Sequence, residues 1–184
     1  MIRVVGLGNI SRDQESIVGG KGANLGELIQ QGLPAPPSLV VTAESYREHI
    51  KDLDLTHQTP DQIRYMIMNQ QVDSNLEADL QQHHGQLSQS IPREYVYAVR
   101  SSATAEDLAD ASLAGQHDTY YYVTADQTPK MVKKCWASLW SDSACRYREC
   151  QGIAHHTVNM AIEGGACFVK TQRDPKLYTS RHAH

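Results

Sequence analysis

No apolar run in this sequence approaches the roughly 20 residues of a membrane span. Its first residues also lack a charged region, apolar stretch and cleavage site in succession, so the cytoplasm is the expected compartment and no membrane contact is expected. A basic excess is missing too. The formal net charge is -4 and the pI about 6.1, which gives no general attraction for nucleic-acid phosphates and argues against nucleic acid as a partner. Paired CxxC spacing is absent: Cys135, Cys145, Cys150 and Cys167 come late in the chain and are read as reduced thiols, not as a zinc site. The histidines do not make up for this. The adjacent pairs His83/His84 and His155/His156 cannot both point one way on a regular element, so solvated surface positions are expected for them. There is no repeat at solenoid spacing. A Gly-x-Ser-x-Gly elbow is also lacking, and Ser101 and Ser102 have no identifiable histidine and acid to complete a triad, which argues against a hydrolase.

What is present is ordinary globular material. At 184 residues, with 40% hydrophobic and 21% charged residues, the chain suffices for one domain with a real core and is too short for two domains of usual size. Val18-Gly19-Gly20-Lys21-Gly22 reads as a glycine-rich loop opening a helix, with Leu25, Leu28 and Ile29 on one face and Gly32 as its stop. Leu33–Pro37 is expected to be extended, Leu39–Thr42 to be a short buried strand, and Thr42 to start a helix carrying Tyr46, His49 and Ile50. Residues 52–90 fit two amphipathic helices with a break near Val72–Asn75. Tyr95–Val99 has the β-propensity of a strand that delivers Arg100 to its end, and Ser101–Asp107 reads as a small polar loop before a second, antiparallel strand at Thr119–Val123. Val132, Cys135, Trp136, Leu139 and Trp140 form the apolar stripe of a strong helix, and Ser141 begins another that ends near Gly152. The stretch Glu163–His184 is polar and aperiodic, and is expected to be mostly a frayed end.

Two places offer phosphate chemistry. Around Lys21, glycines allow close backbone approach, amides at a helix start face anions, and a lysine adds a mobile cation; the pattern is not a Walker A loop, and the plainer alternative is a tight turn with a solvated lysine. Arg100, beside Ser101, Ser102 and Thr104, can grip phosphate oxygens bidentately, while its plainer alternative is an ion pair with Glu106, Asp107 or Asp110. Those three acids could instead hold magnesium, which commonly binds through one or two carboxylates plus substrate phosphates.

Three segments in this order, Val18–Leu28, Val99–Asp107 and Asp110–Thr119, resemble the N-terminal ATP-binding domain of the phosphoenolpyruvate synthase, pyruvate phosphate dikinase and rifampicin phosphotransferase family. Ala137–Trp140 and Ala144–Arg148 extend the resemblance to about the first 160 residues. The resemblance implies an α+β, ATP-grasp-like fold, first part only, with a mixed sheet and flanking helices. It further implies ATP and Mg2+ as cofactors, with Lys21 and Arg100 on the ATP phosphates and Gly115 and Thr119 lining the same site. In this family a histidine on a mobile domain relays the phosphoryl group to pyruvate or to rifampicin. None of the histidines here is assigned that role, because the resemblance stops near Ile162 and leaves residues 163–184 as a divergent tail. A truncated or frameshifted coding sequence and a genuinely short protein both account for that stop. The expected function is the ATP-binding portion of a phosphotransferase, inactive by itself, and the rival is a stand-alone binding or interaction module that kept the fold and lost the catalysis.

Overall fold

A computed structural model describes residues 1–91, 94–104 and 118–168. Its centre is a five-stranded sheet in which every pairing is antiparallel. The strands are β1 (Val4–Gly6), β2 (Ser38–Val41), β3 (Tyr95–Ala103), β4 (Thr119–Val123) and β5 (Met160–Phe168), in the spatial order β1-β2-β5-β3-β4. The expectation of a mixed sheet is therefore corrected for the described strands. The helices are α1 (Glu15–Gln30), α2 (Ala43–Ile50), α3 (Pro60–Asn69), α4 (Ser74–Ser90), α5 (Thr128–Ser138) and α6 (Asp142–Cys150).

Strand alternation divides the sheet into two faces. One carries Leu39, Val41, Tyr97, Val99, Met160 and Ile162, and it is covered by residues of α2 to α5, with Trp136, Cys135, Val132 and Leu139 in the same cluster. The expected α5 stripe is thus core. Trp140 Nε1 donates to the Tyr46 hydroxyl at 3.0 Å, which ties α2 to the end of α5. Helix α3 begins at a capping box, where Thr59 N–H donates to Gln62 Oε1 (2.8 Å) and Gln62 N–H to Thr59 Oγ1 (3.3 Å). Residues 70–73 separate it from α4, as the sequence leads one to expect. His84 departs from expectation: it is buried on α4, its Nδ1 is 2.6 Å from the Tyr97 hydroxyl, and burial lowers its pKa to about 4.

The opposite face is covered by α1 with Leu7, Ile10, Val18, Ala23, Val40, Ala43 and Ala161. Here the buried side of α1 is Gly22, Ala23 and Gly26, while Leu25 and Ile29 are only half-buried and Leu28 is 40% exposed. The helix lies too close to its neighbours for larger residues: a Cβ at Gly26 would stand 2.7 Å from the Ile10 carbonyl oxygen. Small residues therefore make the closest approach, with Leu25 and Ile29 packed beside them against the same cluster and Leu28 turned outward.

Two further expectations change. Strand β3 runs on through Arg100, Ser101 and Ser102 to Ala103, because each of these residues pairs with β5 (Arg100 with Glu163, Ser101 with Ile162, Ser102 with Ala161, Ala103 with Met160). Glu163–Phe168, read from the sequence as the start of a frayed end, is instead the second half of the central strand, with β2 on one side and β3 on the other.

Candidate functional site

The register lines up one residue from each strand: Val5 opposite Val40, Val40 opposite Glu163, Glu163 opposite Arg100, and Arg100 opposite Thr119. This row lies on the α1 face, so Arg100 and Thr119 share a side of the sheet with the helix that bears Lys21. Thr119 is exposed at the start of β4, which Ser101 anchors by donating its backbone N–H (3.4 Å) and its hydroxyl (3.2 Å) to the Asp118 carbonyl.

Gly19 brings the helix to the strand. It has φ 71° and ψ 165° and breaks α1 into a short first piece and a long second one, a left-handed turn that glycine adopts without the Cβ penalty. A Cβ there would collide with Ser102 Oγ and stand 2.6 Å from the Ser102 carbonyl oxygen. Two residues on, Lys21 donates its backbone N–H to Ser102 Oγ (3.1 Å) and its Nζ to the Ser101 carbonyl (3.1 Å). Lys21 thus occupies the first turn of the long piece, as expected, but its amide is committed to Ser102. That amide is therefore not available to an incoming ligand without giving up its bond to Ser102.

Glu163 is the charged residue of this row that the sequence did not single out. Its side chain is 1% exposed, and its Oε2 lies 3.5 Å from Arg100 Nη1, while the Arg100 side chain is 39% exposed. Neither carboxylate oxygen has a hydrogen-bond partner within normal geometry. The Ser38 hydroxyl lies beside it but donates to the Pro36 carbonyl at 2.9 Å. Gly165, two residues along on the same face, leaves the room: a Cβ there would sit 2.7 Å from Glu163 Oε1. Burial raises the Glu163 pKa, with the charge of Arg100 foremost among the neighbours that pull the other way. The signal was the continuation Ala166-Cys167-Phe168 past the glycine pair, which keeps the extended segment going.

Gly115, Glu106, Asp107 and Asp110 lie outside the described residues. Among the described residues, no three His, Cys, Asp or Glu side chains gather into a metal cluster, and no helix is long and apolar enough to cross a membrane. The four cysteines are free.

An antiparallel α/β domain that presses a lysine-bearing helix turn against a strand carrying an arginine is, as a class, suited to holding a phosphorylated ligand. The family described as "Pyruvate phosphate dikinase, AMP/ATP-binding domain" matches the chain over residues 15–163, and the chain belongs to it. Among its relatives, a probable phosphoenolpyruvate synthase of Staphylothermus marinus is 37% identical over 86% of this chain and 22% of its own length. The phosphoenolpyruvate synthase of Pyrococcus furiosus is 34% identical over 83% of this chain and 25% of its own length. The rifampicin phosphotransferase of Bacillus subtilis is 37% identical over 86% of this chain and 20% of its own length. The chain thus corresponds to about a fifth to a quarter of each of these relatives.

Proposed function

We propose that this chain holds ATP with the phosphates against Lys21 and Arg100 and with Thr119 at the rim, as the nucleotide-binding part of a cytoplasmic phosphotransferase. The observation that carries the reading is the meeting of Lys21 and Arg100, far apart in sequence, on one face of the sheet. Lys21 reaches the carbonyl of the residue after Arg100, and both cations act on the same buried carboxylate. Among the described residues two cations converge on a single acid, which suits an anion better than a neutral ligand.

Phosphoryl transfer depends mainly on positioning and on neutralising phosphate charge. Lys21, tethered at both its amide and its ammonium, supplies a fixed positive charge, and the half-exposed Arg100 supplies a planar fork that can turn toward phosphate oxygens. The Thr119 hydroxyl is free to donate from the solvent side. Mg2+ belongs to this reading as the ion that accompanies the triphosphate, held largely by its phosphates. The proposed architecture is the first lobe of an ATP-grasp-like site. The acceptor follows from the relatives' names, pyruvate for the synthase type and rifampicin for the antibiotic-modifying type.

Calorimetric titration with Mg-ATP tests the site. Lys21→Ala and Arg100→Ala are each expected to weaken binding by about tenfold or more, the loss of one charge-assisted contact in a partly solvated site. Unchanged affinity in both folded variants would remove the assignment.

A further inference from the structure

We propose that Glu163 is a built-in counter-ion that occupies the phosphate's electrostatic place between Lys21 and Arg100, and that its charge sets how tightly this face holds a polyphosphate. The proposal rests on the phosphate-site reading above and concerns the regulation of that same site.

The geometry is unusual for an ion pair that exists only for stability. Arg100 and Glu163 are direct cross-strand partners, yet their nearest atoms are 3.5 Å apart and neither carboxylate oxygen receives a hydrogen bond. A buried carboxylate without donors is costly, and paired charges hold it well only when the remaining lone pairs are satisfied. Among the described residues the charged groups facing it are Arg100 from β3 and Lys21 from α1; β2 contributes the Ser38 hydroxyl, already committed to Pro36, and Val40. Arg100 therefore faces a nearby negative charge without being locked onto it, and its exposed side can receive a second anion. A phosphate arriving there meets two cations whose field Glu163 has partly cancelled. Protonating Glu163 removes that cancellation without moving either cation. Burial favours the neutral acid, so the change falls at higher pH than for a solvated glutamate.

The test compares the full chain with Glu163→Gln, which keeps the shape and removes the charge. Mg-ATP and tripolyphosphate are titrated at about pH 8 and at lower pH, in steps down to the pKa of a solvated carboxylate, about 4.3. Glu163→Gln is expected to bind both ligands about tenfold more tightly than the parent at the higher pH, with the ratio shrinking toward one at the lower pH as the parent's own carboxyl takes up a proton. Comparing the two proteins at each pH cancels the titration of the ligand itself. Sulfate, whose charge does not change over this range, gives a measurement on the unsubstituted chain: it is expected to bind more tightly at the lower pH. Equal or weaker binding by folded Glu163→Gln at the higher pH, with Lys21→Ala and Arg100→Ala still weakening it, would overturn the counter-ion and leave the phosphate site standing. If Lys21→Ala and Arg100→Ala changed nothing, both readings would fall together.

Discussion

The two faces of the sheet are built on opposite terms. The face toward α2–α5 is filled with large side chains, Trp136, Tyr46, Tyr97, Leu39 and Met160 among them, and pairs such as Trp140 with Tyr46 and His84 with Tyr97 link its elements. The α1 face is built on close backbone contacts and smaller apolar residues, and it holds Lys21, Arg100 and a buried Glu163 without hydrogen bonds. The large packed rings and the group of Lys21, Arg100 and Glu163 thus lie on opposite faces of one sheet. A domain arranged this way can vary its charged row while the opposite face holds the fold, because alternate residues of the same strand answer to different demands.

The sharpest way to break that comparison is Trp136→Ala. Trp136 is fully buried against Tyr46 and His49, and truncation is expected to remove about 3–5 kcal/mol of stability. Denaturant unfolding measures this, and a loss below about 1 kcal/mol would deny the helical face its role. Gly19→Ala strikes the other face. The left-handed backbone and the collision with Ser102 together are expected to cost about 2–4 kcal/mol, and the displaced Lys21 is expected to weaken Mg-ATP binding as well. Nucleotide affinity retained in a folded Gly19→Ala chain would show that the close approach serves packing alone.

The smallest effect is one of pH and belongs to His84. Its folded pKa of about 4 lies below the usual value of 6.5, so the unfolded chain binds the extra proton first as pH falls. The stability contributed by neutral His84 is therefore complete above about pH 6.5 and is lost as pH falls toward about 4, by about 1–3 kcal/mol. Thermal unfolding followed across that range should show the loss in the parent and a flatter profile in His84→Gln. Identical profiles would place the acid sensitivity elsewhere.

The sequence made the helical face legible because large apolar residues at helical spacing leave little choice: Val132, Cys135, Trp136 and Leu139 could only be core, and Tyr46 and His49 followed from Thr42 in the same way. Lys21 and Arg100 were singled out through residue chemistry and family likeness, and they lie on one face of the sheet. What stayed hidden were the places where small or polar residues sit inside regular structure. Ser101 and Ser102 look like loop residues, yet pairing with Ile162 and Ala161 buries them in the sheet. The glycine pair at 164–165 looks like an ending, although it lies mid-strand where Leu39 and the Glu163 carboxylate press in from opposite faces. On α1 the spacing of Leu25 and Ile29 pointed to the packed side, but it did not show that Gly22 and Gly26 make the closest approach or that Leu28 turns outward, since spacing does not report how close two backbones must come.

The position of β5 in the sheet bears on how the chain is made. It is the last of the described strands to leave the ribosome, yet it occupies the middle of the sheet, between two strands synthesised well before it. Until it emerges, β2 and β3 each present an inner edge with unpaired amides and carbonyls, and the hairpin of β3 and β4 has no neighbour to dock on. The nascent domain is then two half-sheets awaiting an insert, the stage at which open edges invite pairing with the wrong partner and at which a chaperone has most to cover.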